Sequence, residues 1–231
     1  VKSIRILMAL LVSGTLFAQR PNQRPIEEVN ARVILFGETI QTAGILLGQG
    51  VKDQANFQTG PGLRLMGQVT QDSPWYWEVS GRFKSSASMV TNRDIATAPP
   101  ANVLDATKIK VYYSYWSLGA GYLIPLGPTA DFGIHVEGRG ETINPKGEFS
   151  TTNGGLGTID AHAVYFRPWV RFSLDLKLKT GSFTTVIGGE AGITPIKSSQ
   201  RVILPLSQID DQTLRAMAPT WSGAVYAGIQ F

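Results

Sequence analysis

The 231-residue chain has no cysteine, which excludes structural disulfides, thiolate metal sites, a thiol nucleophile and a lipid-modified cysteine. Histidine is nearly as scarce: His135 and His162 are the only two, so no His/Cys cluster supports metal ligation and no cofactor is implied. Charge is sparse and mixed. Lys+Arg number 21 and Asp+Glu 17, a net charge of +4 with no basic cluster, which gives nucleic acid nothing to hold. From Ala31 onward no segment carries an apolar stripe at the helical period, and no repeat of fixed length recurs. No apolar run reaches the ~20 residues that a membrane-spanning helix requires.

What the chain has instead is alternation. In Ala161 to Leu178, AHAVYFRPWVRFSLDLKL, one set of alternate residues reads His162, Val164, Phe166, Pro168, Val170, Phe172, Leu174, Leu176, Leu178. The other reads Ala161, Ala163, Tyr165, Arg167, Trp169, Arg171, Ser173, Asp175, Lys177. Successive Cβ atoms of a strand point to opposite faces, so this is a ribbon with one greasy and one charged face. A helix would mix the arginines with the leucines. After Lys179-Thr180-Gly181-Ser182 the same habit resumes from Phe183 to Thr194, which predicts a hairpin.

Residues 1–18, VKSIRILMALLVSGTLFA, carry Lys2 and Arg5 ahead of an apolar run and end at Ala18, the form of a cleavable secretory signal peptide. Removing it lowers the net charge to +2. Residues 19–30 form a polar, Pro-broken linker, and residues 31–231 hold eight candidate strands. These run Arg32 to Gly48, Gly60 to Thr70, Trp75 to Ser86, Thr107 to Ile124, Asp131 to Ile143, Thr158 to Leu178, Phe183 to Thr194 and Pro219 to Phe231. Short turns at Gln71 to Pro74, Pro125 to Ala130 and Lys179 to Ser182 alternate with longer polar links near Gln49 to Thr59, Ala87 to Ala106, Asn144 to Gly157 and Pro195 to Ala218. The fold class read from this is all-β, a single antiparallel up-and-down transmembrane barrel with short periplasmic turns and long outer loops. A hydrophobic content of 43% is compatible with it, because lipid-facing and lumen-facing residues cancel along each strand.

The signal peptide, the meander and the last strand, TWSGAVYAGIQF, together resemble the small outer-membrane β-barrel family, similar to the OmpA transmembrane domain and OmpX-like proteins. The resemblance covers about Ala31 to Phe231 and is architectural. It implies a place in the outer membrane of a Gram-negative cell, a monomer, and a role that is structural or exerted through the surface loops, whose ligand it does not name. It also implies that the barrel-assembly machinery reads Phe231, with Ile229 and Tyr226, as part of its signal. No peptidoglycan-binding segment is expected after Phe231.

Alternation also fits a secreted, soluble lipocalin-like binding barrel. The aromatics distinguish the two: Trp75, Trp77, Tyr122, Phe132, Phe183 and Phe231 share the greasy parity and gather near the short turns, as an interfacial girdle does. The polar parity holds Arg64, Glu78, Arg82, Lys84, Asp131, His135, Glu137, Arg139, Glu141, Arg167, Arg171, Asp175 and Glu190, with Glu137-x-Arg139-x-Glu141 the densest group. Charges two apart on a strand share a face, and opposite signs neutralise one another in a lumen. The enzyme alternative is a lipid A deacylase-like activity at the membrane. Neither IHVEG around His135 nor AHAVY around His162 has the His-x-Ser arrangement of such enzymes, so no catalytic residue is assigned. Gly154-Gly155-Leu156-Gly157 opens no helix and reads as a loop tip. Asp210-Asp211 reads as a solvated pair, and Asp210 to Met217 as a short helical turn.

Two expectations are geometric. Pro168 cannot donate a ladder hydrogen bond, so a bulge or the fading of pairing is expected there, at the outer rim. A turn centred on Thr180-Gly181 sets Leu178 opposite Phe183 and Arg171 opposite Glu190, which predicts an ion pair inside the barrel with Glu137 or Glu141 as a third member.

Overall fold

The computed structural model describes residues 30–43, 55–88, 103–105, 110–151, 156–195, 199–203 and 218–231. The signal segment, nearly all of the linker, most of the long links, Asp210-Asp211 and the turn at Asp210 to Met217 lie outside the described residues. Eight strands close a ring: β1 (Ala31–Ala43), β2 (Ala55–Gln68), β3 (Trp75–Ser88), β5 (Lys110–Gly127), β6 (Ala130–Thr151), β8 (His162–Thr180), β9 (Phe183–Ile193) and β11 (Trp221–Gln230). Each pairs antiparallel with its neighbour in that order, and β1 pairs β11 from Arg32↔Gln230 to Ile40↔Ser222, so no barrel edge is left open. Three short strands, β4 (Val103–Asp105), β7 (Leu156–Asp160) and β10 (Ser199–Ile203), extend it at the loop end, β4 and β7 on β6 and β10 on β8. None of the described residues is helical.

All eight expected strands are present, and the alternation of β8 is reproduced: Ala163, Tyr165, Arg167, Trp169, Arg171, Ser173 and Asp175 are buried, whereas Phe166, Phe172, Leu174, Leu176 and Leu178 are exposed. The link near Asn144 to Gly157 is mostly ladder, not loop. β6 runs through Thr151 and β7 returns against it from Ser150↔Leu156 to Lys146↔Asp160, in the register that β6 and β8 keep lower down. Above the barrel both faces of a hairpin meet water, so its sequence need not alternate, and the pattern that marks a half-buried strand disappears. Of the expected loop tip, Leu156 and Gly157 pair with Ser150 and Phe149 in the ladder, and Gly154 and Gly155 lie outside the described residues.

The turn between β8 and β9 differs from expectation by one residue. Thr180 pairs with Phe183, which leaves Gly181-Ser182 as the two-residue centre, and Gly181 has φ +64°. A two-residue turn with Gly in its first place matches strand twist, whereas Thr in that place would need a positive φ that a β-branched residue resists. The centre moves to suit the glycine, and the whole register moves by two: Leu176 meets Ile187 and Ser173 meets Glu190. The parity is unchanged, so both greasy faces stay outside.

Pairing fades at Pro168 on one side only. β9 follows β8 as far as Val170↔Ile193, and β10 takes up the same edge at Phe166↔Ser199, so among the described residues no strand pairs with Arg167, Pro168 and Trp169 on that edge. On the other edge β6 pairs straight through, with Gly138↔Pro168 in register and no bulge.

Candidate functional site

The lumen is a column of charge. Among the described residues, Arg32, Arg64, Arg82, Arg139, Arg167, Arg171 and Lys177 supply seven cations; Glu38, Glu78, Asp131, Glu137, Glu141, Asp175 and Glu190 supply seven carboxylates. Strand alternation puts them there. The barrel orders them in tiers because residues from facing strands meet across a lumen only wide enough for side chains.

Nearest the short turns, Arg32 of β1 reaches Asp175 at 2.6 Å and Asp131 at 3.0 Å, and Lys177 takes the other oxygen of Asp131 at 2.8 Å. Tyr226 of the last strand donates to the other oxygen of Asp175. In the middle tier Arg64 forks onto both oxygens of Glu190, each at 2.7 Å. Arg171 touches three carboxylates: Glu190 at 2.5 Å, Glu78 at 2.5 Å and Glu137 at 3.0 Å. Above them Arg139 bonds Glu137 at 2.5 Å and Glu38 at 3.1 Å while its guanidinium lies between the rings of Tyr115 and Trp169, at 4.1 and 4.2 Å. Arg82 reaches Glu38 at 3.3 Å. At the loop end Arg167 is bidentate on Glu141, at 2.5 and 2.8 Å, and donates to the Pro219 carbonyl at 2.7 Å. The forks of Arg64 on Glu190 and Arg167 on Glu141 are charge-assisted hydrogen bonds, whereas Arg82 Nε and Glu38 Oε2 meet as an ion pair without one.

The expected pair of Arg171 with Glu190 forms, and Glu137 is its third member; Glu141 belongs to Arg167 instead. Of the polar-parity residues named from the sequence, Lys84 alone is misplaced. A bulge between Arg82 and Ser85 sets two residues of β3 against Ser114 of β5, and Lys84 points outward, exposed, with its ammonium 4.4 Å from the Tyr112 ring centre. Arg32 and Glu38 were not singled out. They share their parity with Ile34, Phe36 and Ile40, all buried, so β1 is greasy on its lumen face too and shows no contrast to read.

His135 joins the core. Its Nδ1 is hydrogen-bonded to Glu78, and its Nε2 lies 2.9 Å from Ser173 Oγ. Ser173–His135–Glu78 thus has the connectivity of a nucleophile, a base and an orienting carboxylate, assembled from three strands with no linear motif. Burial denies it a substrate: Ser173 is 4% exposed and His135 2%, both enclosed by the charge column. His162 sits half-buried on the outer face at the loop end. Outside the barrel proper, exposed Lys146 and Asp160 pair at 2.8 Å; the hydrogen bond lowers the Asp160 carboxyl below its ordinary range and raises the Lys146 amine.

The outer face completes the geometry. Trp75, Trp77, Phe183 and Phe231 are exposed near the turns, and Phe57, Phe83, Trp116 and Phe166 form a second exposed set toward the loops, which alternation alone does not mark. At ~3.3 Å per residue and a tilt of ~40°, the span from Trp221 to Phe231 gives roughly 25 Å along the axis. Leu35, Leu118, Val136, Leu174 and Leu176, each at least half exposed, lie between.

No family model matches the chain. No curated protein matches it either. Among solved structures it is similar to a major outer membrane protein from Thermus thermophilus, at 8% identity and a TM-score of 0.53, over 87% of this chain and 99% of that one. It is also similar to Ail, the attachment invasion locus protein of Yersinia pestis, at 12% identity and a TM-score of 0.46, over 89% and 100%. The Neisserial surface protein A gives 10% identity and a TM-score of 0.40, over 88% and 98%. Identities this low speak to fold, and the Thermus superposition together with the closed ring of pairings identifies that fold as the antiparallel eight-stranded β-barrel of outer-membrane proteins.

Proposed function

We propose that this chain is an exported outer-membrane β-barrel protein, plugged by its own lumenal side chains, which acts as a structural or interaction protein through its surface loops. The observation that carries this reading is an inversion. Arg139 and Arg171 are 0% exposed, whereas Leu174, Leu176 and Leu178 are 50 to 53% exposed in an unbroken greasy stripe. A water-soluble barrel of the lipocalin kind would expose an apolar band far larger than soluble monomers tolerate, and would hold its charges where a ligand should sit. In a bilayer the same arrangement is favourable on both faces, with the aromatic rings at the two boundaries. Export by cleavage of residues 1–18, a barrel domain over 31–231, recognition of Phe231 by the barrel-assembly machinery and a monomeric state belong to the same proposal.

The charge column supports a structural role for the lumen instead of a catalytic one. Among the described residues, seven carboxylates facing seven cations leave no net charge for a substrate to answer, and Ser173 Oγ has no approach from outside. Fractionation with heat-modifiable gel migration tests the membrane assignment: the chain is expected in the outer-membrane fraction with a shift on boiling, and recovery as a soluble periplasmic protein would refute it. A deacylase assay on lipid A tests the enzyme alternative; activity lost in both His135→Ala and Ser173→Ala with the barrel intact would replace the structural reading.

A further inference from the structure

Two hollows lie one above the other on the outer face of β5, β6 and β8, separated by one aromatic step. The step is Trp116, packed edge-on against Phe166 with ring centres 5.6 Å apart. It rests on Gly140, where an added Cβ would come within 2.5 Å of the indole. On the turn side of the step is an open hollow of about 360 Å³ between Val136 and Phe166. It exists because the paired residues Gly138 and Pro168 project almost nothing outward. On the loop side the surface becomes polar: a hollow of about 120 Å³ is lined by Lys84, Tyr112, Ser114, Thr142, Asn144 and His162.

Lys84 occupies this place because of the bulge in β3; strict alternation from Ser80 and Arg82 would have sent it into the lumen. Among the described residues its ammonium meets no carboxylate, and the exposed Asp160 beyond Asn144 is held by Lys146. A cation beside a tyrosine, a serine and a threonine offers what the oxygens of a phosphate accept. The apolar hollow below offers what an acyl chain fills. About four residues of β6, or ~13 Å, separate the two, and the Trp116–Phe166 step between them stands at the level where aromatic rings mark the edge of the hydrocarbon.

We propose that this face holds one phosphate-bearing lipid, with its headgroup against Lys84 and an acyl chain in the Gly138–Pro168 hollow. The proposal rests on the membrane reading above. A lipid fits better than a free phosphate ion, because one lysine in an open hollow holds a small ion weakly, whereas an acyl chain also uses the apolar hollow.

The test uses the full chain folded in detergent micelles, titrated with dihexanoyl phosphatidic acid and followed by native mass spectrometry. One lipid per barrel is expected, with dihexanoyl phosphatidylcholine binding more weakly. Lys84→Ala should weaken binding about fivefold, the effect of one cation at an anionic headgroup, and Lys84→Arg should restore it. Gly138→Leu fills the lower hollow and should weaken binding about tenfold, the loss of roughly two buried methylenes. An added Cβ at Gly138 meets nothing within 4 Å, so the backbone accepts a side chain there, and heat-shifted migration verifies that each variant forms its barrel. Unaltered affinity in both variants overturns the site. Displacement of the lipid by inorganic phosphate at equal concentration overturns it too, since it would show an ion site. Failure of the unmodified chain to float with phospholipid vesicles refutes the membrane reading and the lipid site together; flotation with unaltered affinities refutes the lipid site alone.

Discussion

Removing Glu190 strands one arginine, and the structure says which. Arg64 has both of its terminal nitrogens on Glu190, at 2.7 Å each, and its next carboxylate is Glu78 at 4.0 Å. Arg171 also loses Glu190 but keeps Glu78 at 2.5 Å and Glu137 at 3.0 Å. The cost of Glu190→Ala therefore falls on Arg64, whose side chain is 1% exposed and cannot recover water. Breaking one partner out of a buried pair costs about 3 to 5 kcal/mol, a factor of roughly a hundred to a few thousand in the folding constant. The double variant Arg64→Ala/Glu190→Ala removes the stranded charge and should recover part of that loss. Arg171→Ala/Glu190→Ala should recover nothing, because Arg64 still lacks Glu190, while Glu78 and Glu137 lose Arg171 and keep His135 and Arg139. Urea unfolding in phospholipid vesicles, followed by tryptophan fluorescence and by heat-shifted migration, measures all three. Equal recovery by the two double variants, or none with Arg64→Ala, would show that the column does not divide its charges in the way its distances imply.

Three further outcomes follow from the same geometry. In planar bilayers the intact barrel should show no steady conductance, since its lumen is occupied by paired side chains; a stable open channel would refute the plugged lumen. Gly181→Ala should destabilise the barrel by about 1 to 2 kcal/mol through the backbone alone, because φ is +64° and an added Cβ meets nothing within 4 Å; an unchanged unfolding midpoint would refute the turn geometry. For Lys146 and Asp160 the depressed carboxyl fixes the sign. Any contribution of the pair is complete between the ordinary aspartate and lysine ranges, and is lost as pH falls through the lowered carboxyl value or rises through the raised amine value. Both groups are exposed, so Lys146→Ala should leave the unfolding midpoint unmoved at neutral pH, and a clear shift would show that the hairpin packs against more than water.

The barrel was legible in the sequence because an apolar outer face and a charged lumen impose alternation on most of its strands: Leu174, Leu176 and Leu178 outside and Arg171, Ser173 and Asp175 inside can be read directly. Where water meets both faces, that pressure stops. The β6–β7 hairpin above Pro145 therefore read as loop. Lys84 was misassigned for a related reason: a bulge resets parity without leaving a distinctive residue in the string, so counting from Arg82 carried the error forward. The association of Ser173 with His135 and Glu78 left no signal either, because β8, β6 and β3 are brought together by closure and not by spacing.

The ion pair of Arg171 and Glu190 shows what sequence counting does resolve. Its predicted register was wrong by two residues, since Arg171 lies directly across from Gly192, yet the pair forms at 2.5 Å. A shift of two preserves the face of every side chain, and a diagonal neighbour on an adjacent strand is ~7 to 8 Å away at the backbone, within the reach of an arginine. A shift of one would have put Glu190 on the apolar outer face. Parity, which the apolar outer face enforces, is therefore the quantity the pattern carries, and register within a parity is decided locally, here by the need of Gly181 to occupy the first place of its turn. The lumen tolerates that freedom at Arg171 because this side chain touches three carboxylates, and the loss or displacement of one contact leaves the other two in place.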